Sequence, residues 1–129
     1  MDSENLPTLQ EEALTFSIRQ TAFEAHCYFG SGYLEKVYEN SLAHRLRKKG
    51  HEVLQQHPLM VSDEDGTVVG EYCADLLVDG RVIVEIKAVR SLANEHIAQV
   101  LNYLKTTGLH VGLLINFGAK RSCCRRFVL

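Results

Sequence analysis

Asp75-Leu-Leu-Val-Asp-Gly-Arg-Val-Ile-Val-Glu85-Ile-Lys87 is the stretch whose reading decides the fold. Runs rich in Val, Ile and Leu flank Val78-Asp79-Gly80-Arg81, and Asp-Gly between such runs is a strong hairpin signal. Asp75, Glu85 and Lys87 lie in strands otherwise suited to burial, so the face they share matters. A two-residue loop pairs Val78 with Arg81 and Asp75 with Val84, which sends Asp75 to the opposite face from Glu85 and Lys87. A three-residue loop with left-handed Gly80 and a bulge pairs Leu77 with Arg81 and Asp75 with Ile83, leaving Asp75 diagonal to Glu85. The bulged turn is the better reading, because it gathers Tyr72, Ala74, Leu76, Val82, Val84 and Ile86 on one apolar face and Glu71, Asp75, Arg81, Glu85 and Lys87 on the other. Diagonal cross-strand neighbours sit roughly 7–8 Å apart, a span that one divalent cation bound by both carboxylates can bridge. Without a cation, two carboxylates brought together force one pKa upward.

Outward from this hairpin the elements follow a regular order. Residues 1–8 read as a disordered lead-in, and the remainder, 9–129, as one domain. Ala13, Phe16, Ile18, Ala22, Phe23 and Ala25 fall near helical spacing from Leu9 to about Phe29, and Gly30-Ser31-Gly32 ends that helix. A second helix runs from about Tyr33 to Lys49 on an apolar stripe of Leu34, Val37, Tyr38, Leu42 and Leu46, with Gly50 as its stop. Strands are expected over Glu52 to Val61, Val68 to Val78 and Val82 to Ala88, the first two separated by the Asp63-Glu64-Asp65-Gly66 turn. Ser91 is a plausible N-cap for a helix ending at Gly108. Val111 to Asn116 reads as a fully buried strand, and Arg125 to Leu129 as a last edge strand. A helix between two strands implies a crossover to a parallel neighbour, so the sheet is expected to be mixed and flanked by helices, an α/β layered domain.

The 129 residues are 46% hydrophobic, enough for one core. The N-terminus has no basic and apolar leader, and no segment is long enough to span a bilayer, so a cytoplasmic protein without a membrane partner is expected. Cys27, Cys73, Cys123 and Cys124 show no Cys-x-x-Cys spacing, which argues against a zinc site or disulfide framework and for reduced packing cysteines. The net charge of −2 is uneven: residues 1–12 hold four of the 16 acids and no base, so the remainder carries 14 bases against 12 acids. His44, Arg45, Arg47, Lys48 and Lys49 form one basic cluster, and Lys120, Arg121, Arg125 and Arg126 another. Either could meet phosphate; bases near a helix end also simply complement its dipole.

Two further motifs sit on the helices. Gly32-x-x-Glu35 opens the second helix, with Glu39 one turn later on the same side. Gln99-Val-Leu-Asn-Tyr103 projects a glutamine and a tyrosine from one face of the later helix. Each alone has an ordinary structural explanation: a first-turn glutamate favours the helix dipole, and a tyrosine beside an apolar stripe packs.

Taken in order, Glu35, Asp75, Glu85-x-Lys87 and Gln99-x-x-x-Tyr103 resemble the active-site series of the PD-(D/E)XK nuclease superfamily. More closely, Gly-Tyr-Leu-Glu35-Lys-Val-Tyr-Glu39, Ala-Asp75-Leu-Leu-Val, Val-Glu85-Ile-Lys-Ala-Val, Gln99-Val-Leu-Asn-Tyr-Leu-Lys and Gly-Leu-Leu-Ile-Asn-Phe-Gly118 resemble the GxxExxxB family, over about residues 13 to 129. The resemblance implies a restriction-endonuclease-like α-β-β-β-α-β core. It also implies a metal-dependent phosphodiesterase in which Asp75, Glu85 and the backbone carbonyl of Ile86 hold Mg²⁺ or Mn²⁺, Lys87 holds and polarises the attacking water, Glu35 is an outer or second-metal ligand, and Gln99 and Tyr103 orient the site and touch the nucleic-acid backbone. Oxygen ligands suit a hard cation. Ala74 stands where the superfamily's name has Pro, which supplies no ligand. The implied partner is nucleic acid, DNA before RNA, and two-site cleavage would favour a symmetric homodimer. The alternative is a catalytically silent nucleic-acid- or protein-binding module that keeps the fold. Retaining Asp, Glu and Lys on an otherwise buried face has a desolvation cost that a pure scaffold could avoid.

Overall fold

A computed structural model describes residues 11–129. The expected lead-in over residues 1–8 and the helix start at Leu9 lie outside the described residues. The order is α1 (Glu12–Phe29), α2 (Glu35–Lys48), β1 (Val53–Ser62), β2 (Val68–Val78), β3 (Val82–Lys87), α3 (Asn94–Thr107), β4 (Val111–Asn116) and β5 (Cys123–Val128). The five strands form one sheet in sequential order, antiparallel except where β3 and β4 run parallel across the α3 crossover. This is the mixed, helix-flanked α/β sheet expected from the sequence. No described helix is long and apolar enough to cross a membrane.

The two faces of the sheet carry separate cores. On one, Leu14, Ile18, Ala22 and Ala25 of α1 and Tyr38, Leu42, Ala43 and Leu46 of α2 cover Leu76, Val82, Val84, Ile86, Leu113 and Ile115. On the other, Val100, Tyr103 and Leu104 of α3 cover Leu59, Ala74, Ile83 and Leu114. β3 and β4 are central and sandwiched, which is why both read as continuous apolar runs rather than alternating ones.

Several expectations about faces are corrected. Phe16 and Phe23 are 63% and 56% exposed, because the buried stripe of α1 is Leu14, Ile18, Ala22 and Ala25. Its later turns are alanines that permit close approach to α2. Leu34 precedes the helix proper and is 81% exposed. Ser91 is not the N-cap of α3; that position is Ala93, whose N–H is accepted at 3.0 Å by the Nδ1 of His96. Gly108 ends the helix in a left-handed conformation, as expected.

The end of the sheet nearest the charged residues is fastened by Asn116 and Gly118. Asn116, 1% exposed, accepts from the N–H groups of Val89 and Gly118 and donates to the Val89 carbonyl. A Cβ on Gly118 would lie 2.3 Å from the Val89 backbone. The motif Asn-Phe-Gly118 is therefore a clamp that holds the chain just after Lys87 against the end of β4.

Candidate active site

The hairpin turn differs from both registers considered above. Arg81 N–H bonds the Val78 carbonyl at 3.0 Å, Asp79 and Gly80 are both left-handed (φ 53° and 65°), and Val78 pairs with Val82, so three residues lie between the strands. Arg81 leaves the ladder to meet Glu11 at 3.3 Å. The pairs Leu77 with Ile83 and Leu76 with Val84 follow, and continuing that register sets Asp75 opposite Glu85 rather than diagonal to it. A second correction concerns the face of β2. Leu76 belongs to the core under α1 and α2, but Ala74 belongs to the core under α3 and Tyr72 packs against Tyr103 of α3. The strict alternation slips at Asp75. Facing it on β1 is Gln56, left-handed at φ 52°.

At that irregularity the strands are tied by side chains. Asp75 N–H donates to Glu85 Oε2 and Ile86 N–H donates to Asp75 Oδ2, both at 2.8 Å. Within a strand the N–H and C=O of one residue face the same neighbour, so the Ile86 carbonyl is also directed toward β2. Gln56 donates to Asp75 Oδ1 at 3.2 Å and to Glu39 Oε1 at 2.9 Å. Glu39 is 4% exposed and is held further by Gln55 and Lys36. Glu35, in the first turn of α2, accepts from Ala88 N–H at 3.4 Å just beyond Lys87. On α3, Gln99 donates to the Tyr103 hydroxyl at 3.0 Å.

All seven residues implied by the sequence thus come to one end of the sheet, with Glu35 at its rim. Gln56 and the full burial of Glu39 are what the sequence reading missed. A left-handed glutamine leaves no signature, and Glu39 was legible only as a neighbour of Glu35.

Burial is the first cause of the site's electrostatics. It pushes Glu85 up to about 8, helped by the repulsion of Asp75 and, less, Glu35, while Asp75 N–H and Lys87 act in the opposite direction. Asp75 is also raised by burial, opposed chiefly by its hydrogen bonds from Ile86 and Gln56. Burial and the field of Glu85 raise the Tyr103 hydroxyl. The charge of Lys87 opposes the rise at both carboxylates.

The donor set fits a hard divalent cation of the Mg²⁺ kind. Among the described residues no three His, Cys, Asp or Glu side chains converge into a ready-made cage. Mg²⁺ needs none: it typically keeps several waters and takes one or two carboxylates. Asp75 and Glu85 could supply these, since each bonded oxygen retains a lone pair, and the Ile86 carbonyl could add a third oxygen.

A second constellation lies elsewhere. Ser17 Oγ is 3.0 Å from His51 Nε2, and His51 Nδ1 is 2.8 Å from Asp79 Oδ2. The serine sits in the interior of α1, where the surrounding N–H groups are committed to the helix ladder, so no pair of donors is left to hold an oxyanion. The series joins α1, the start of β1 and the hairpin turn. The basic clusters are partly structural too: Arg47 donates to the Val53 carbonyl, Lys49 to Thr21 and Glu24, and Arg45 lies over the Tyr28 ring.

A family model described as the PD-(D/E)XK nuclease superfamily matches residues 12–127. The chain belongs to the PD-(D/E)XK nuclease superfamily. Solved structures share the fold at low identity. The crystal structure of SSO0001 aligns with a TM-score of 0.59 and 18% identity over 90% of this chain and 60% of that one. An alkaline exonuclease (LHK-Exo) from Laribacter hongkongensis aligns with a TM-score of 0.53 and 12% identity over 92% of this chain and 71% of that one. This superfamily member therefore spans about three fifths of the length of SSO0001. No curated protein sequence is significantly similar to it.

Proposed function

We propose that this chain is a Mg²⁺- or Mn²⁺-dependent nuclease of the GxxExxxB group. On this reading residues 9–129 are a single domain that hydrolyses phosphodiester bonds of nucleic acid, DNA foremost, in the cytoplasm. The observation that carries the reading is the Asp75–Glu85 pair, two opposed carboxylates, Glu85 buried and Asp75 half-buried, with no salt-bridge partner among the described residues. Their mutual repulsion is a standing cost unless a cation shares them or one of them takes up a proton. When bound, the cation supplies Lewis-acid polarisation of the phosphate and a more acidic water.

The chain's own residues do the rest. Asp75, Glu85 and the Ile86 carbonyl hold the ion, with Gln56 fixing the Asp75 carboxylate from behind. Lys87 hydrogen-bonds the attacking water and stabilises the negative charge that develops on the phosphate. Glu35 supports the outer side of the site. Gln99 and Tyr103, already joined to each other, orient the substrate backbone. One such site cuts one strand, and cutting both would take a homodimer.

The test is calorimetric titration of Mg²⁺ and Mn²⁺ into the wild type and the Asp75→Asn/Glu85→Gln variant, followed by assays on single-stranded, duplex and branched DNA and RNA. Metal binding and metal-dependent cleavage are expected in the wild type and lost in the variant. Absence of metal binding even with nucleic acid present would favour a silent binding module.

A further inference from the structure

A groove of about 860 Å³ runs between the outer half of the β1–β2 hairpin and α3. Neither carboxylate of the pair lines it, but Gln99 and Tyr103 do, so it adjoins the candidate site. Tyr72 and Met60 also line it and are 54% and 53% exposed. We infer that this groove receives an unpaired nucleic-acid strand, one of whose bases stacks on Tyr72; the inference rests on the nuclease reading and specifies its substrate.

The placement of Tyr72 carries the argument. It precedes Asp75 by three residues on β2, roughly 10 Å along a strand, a separation that neighbouring nucleotides of one chain can cover. Its ring leans on Tyr103, with centroids 6.0 Å apart and planes tilted by 48°, which holds it in place while more than half of the residue stays open to solvent. A base offers its flat face to such a ring only when it is unpaired and out of a duplex stack. Stacking of this kind tolerates any base, so the groove selects strandedness rather than sequence. Asn102 and Tyr103 add polar groups beside the platform, and Lys105 offers an ammonium to phosphate. Glu95 lines the same groove and repels phosphate, so the backbone of the bound strand runs on the Lys105 side.

The chain contains no tryptophan, so Tyr72→Trp installs a lone fluorescent reporter in the groove. With EDTA present to prevent cleavage, a short single-stranded oligothymidylate is expected to quench it, and a blunt duplex is not. A single-stranded RNA of matching length decides whether the groove accepts both sugars. Tyr72→Ala should weaken single-strand binding by roughly 5- to 150-fold, the range of one base–aromatic stack, and Tyr72→Phe should restore most of it. Tyr72 lies outside both cores, so these variants are expected to fold. Single-strand binding unchanged in Tyr72→Ala, or equal quenching by duplex, would overturn the inference. Metal-dependent cleavage that persists with such a result would leave the nuclease reading intact. Stacking that depends on Tyr72 without cleavage in any metal would uphold the groove and sink the nuclease reading.

Discussion

At Gln56 two demands meet. Its φ of 52° is a conformation that costs a residue with a side chain about 1–3 kcal/mol, yet it lets one amide group bond Glu39 and Asp75 together. Strain retained at such a point suits a positioning role, and Gln56→Gly separates the two effects. Glycine relieves the backbone, and Glu39 keeps its bonds to Lys36 and Gln55. The expected outcome is stability equal to or above wild type in urea unfolding, with divalent-cation affinity lowered about 10- to 100-fold in calorimetry, the usual cost of removing a residue that orients a ligand. Reduced stability at unchanged affinity would make Gln56 a brace for the sheet and nothing more. Asp75, Glu85 and Lys87 were legible as charged residues in apolar strands. Gln56 was not, because an exposed polar residue within an edge strand has nothing unusual in its type or spacing.

Among the elements, the β2–β3 hairpin shows where local pattern stops being decisive. Asp-Gly marked the turn, but the register depended on whether Arg81 joined the ladder. In the fold it does not, since Glu11 draws its guanidinium outward and Asp79 is fastened to the start of β1 by Glu52 N–H and His51. These partners are distant in sequence, so turn chemistry alone could not choose. The same contacts make the turn pH-sensitive. Burial alone would raise the Asp79 carboxyl, but the bonds from His51 and Glu52 N–H outweigh it and hold it below the usual carboxylate range. A carboxyl lower in the folded than in the unfolded chain contributes stability above its unfolded value, near pH 4, and loses it as pH falls through the folded value. Asp79→Asn keeps a residue type that accepts positive φ. It should be less stable than wild type at pH 7 and approach wild type near pH 3, as measured by thermal unfolding at both pH values. An equal gap at both would mean that the charge contributes nothing. Within α1, the exposure of Phe16 and Phe23 has a similar cause: two stripes shared the helical period, and only the neighbour that packs there, the Tyr38, Leu42 and Leu46 face of α2, selected the one carrying alanines.

Across the whole molecule, the two cores sort the cysteines. All four are unpaired, as their spacing suggested, but Cys27, Cys73 and Cys123 are exposed rather than packing residues. Cys124 lies against the α1–α2 core and burial pushes its thiol up to about 12. Alkylation of the native protein followed by mass spectrometry should therefore label three thiols readily and the fourth only on unfolding, because the thiolate is the reacting species. Four equal rates would mean that the β5 edge opens freely.

The order of helices and strands, the parallel crossover through α3, the burial of β4 and the gathering of Asp75, Glu85 and Lys87 on one hairpin were all written in the sequence. Each follows from periodicity and turn chemistry within a dozen or so residues. The tertiary structure alone decided that Asp75 opposes Glu85, that β2 slips a face at Asp75, that Gln56 and Glu39 stand behind the pair, and that Tyr72 turns toward α3. These depend on contacts between residues far apart in the chain, where the energy of fitting one element against another outweighs any local preference.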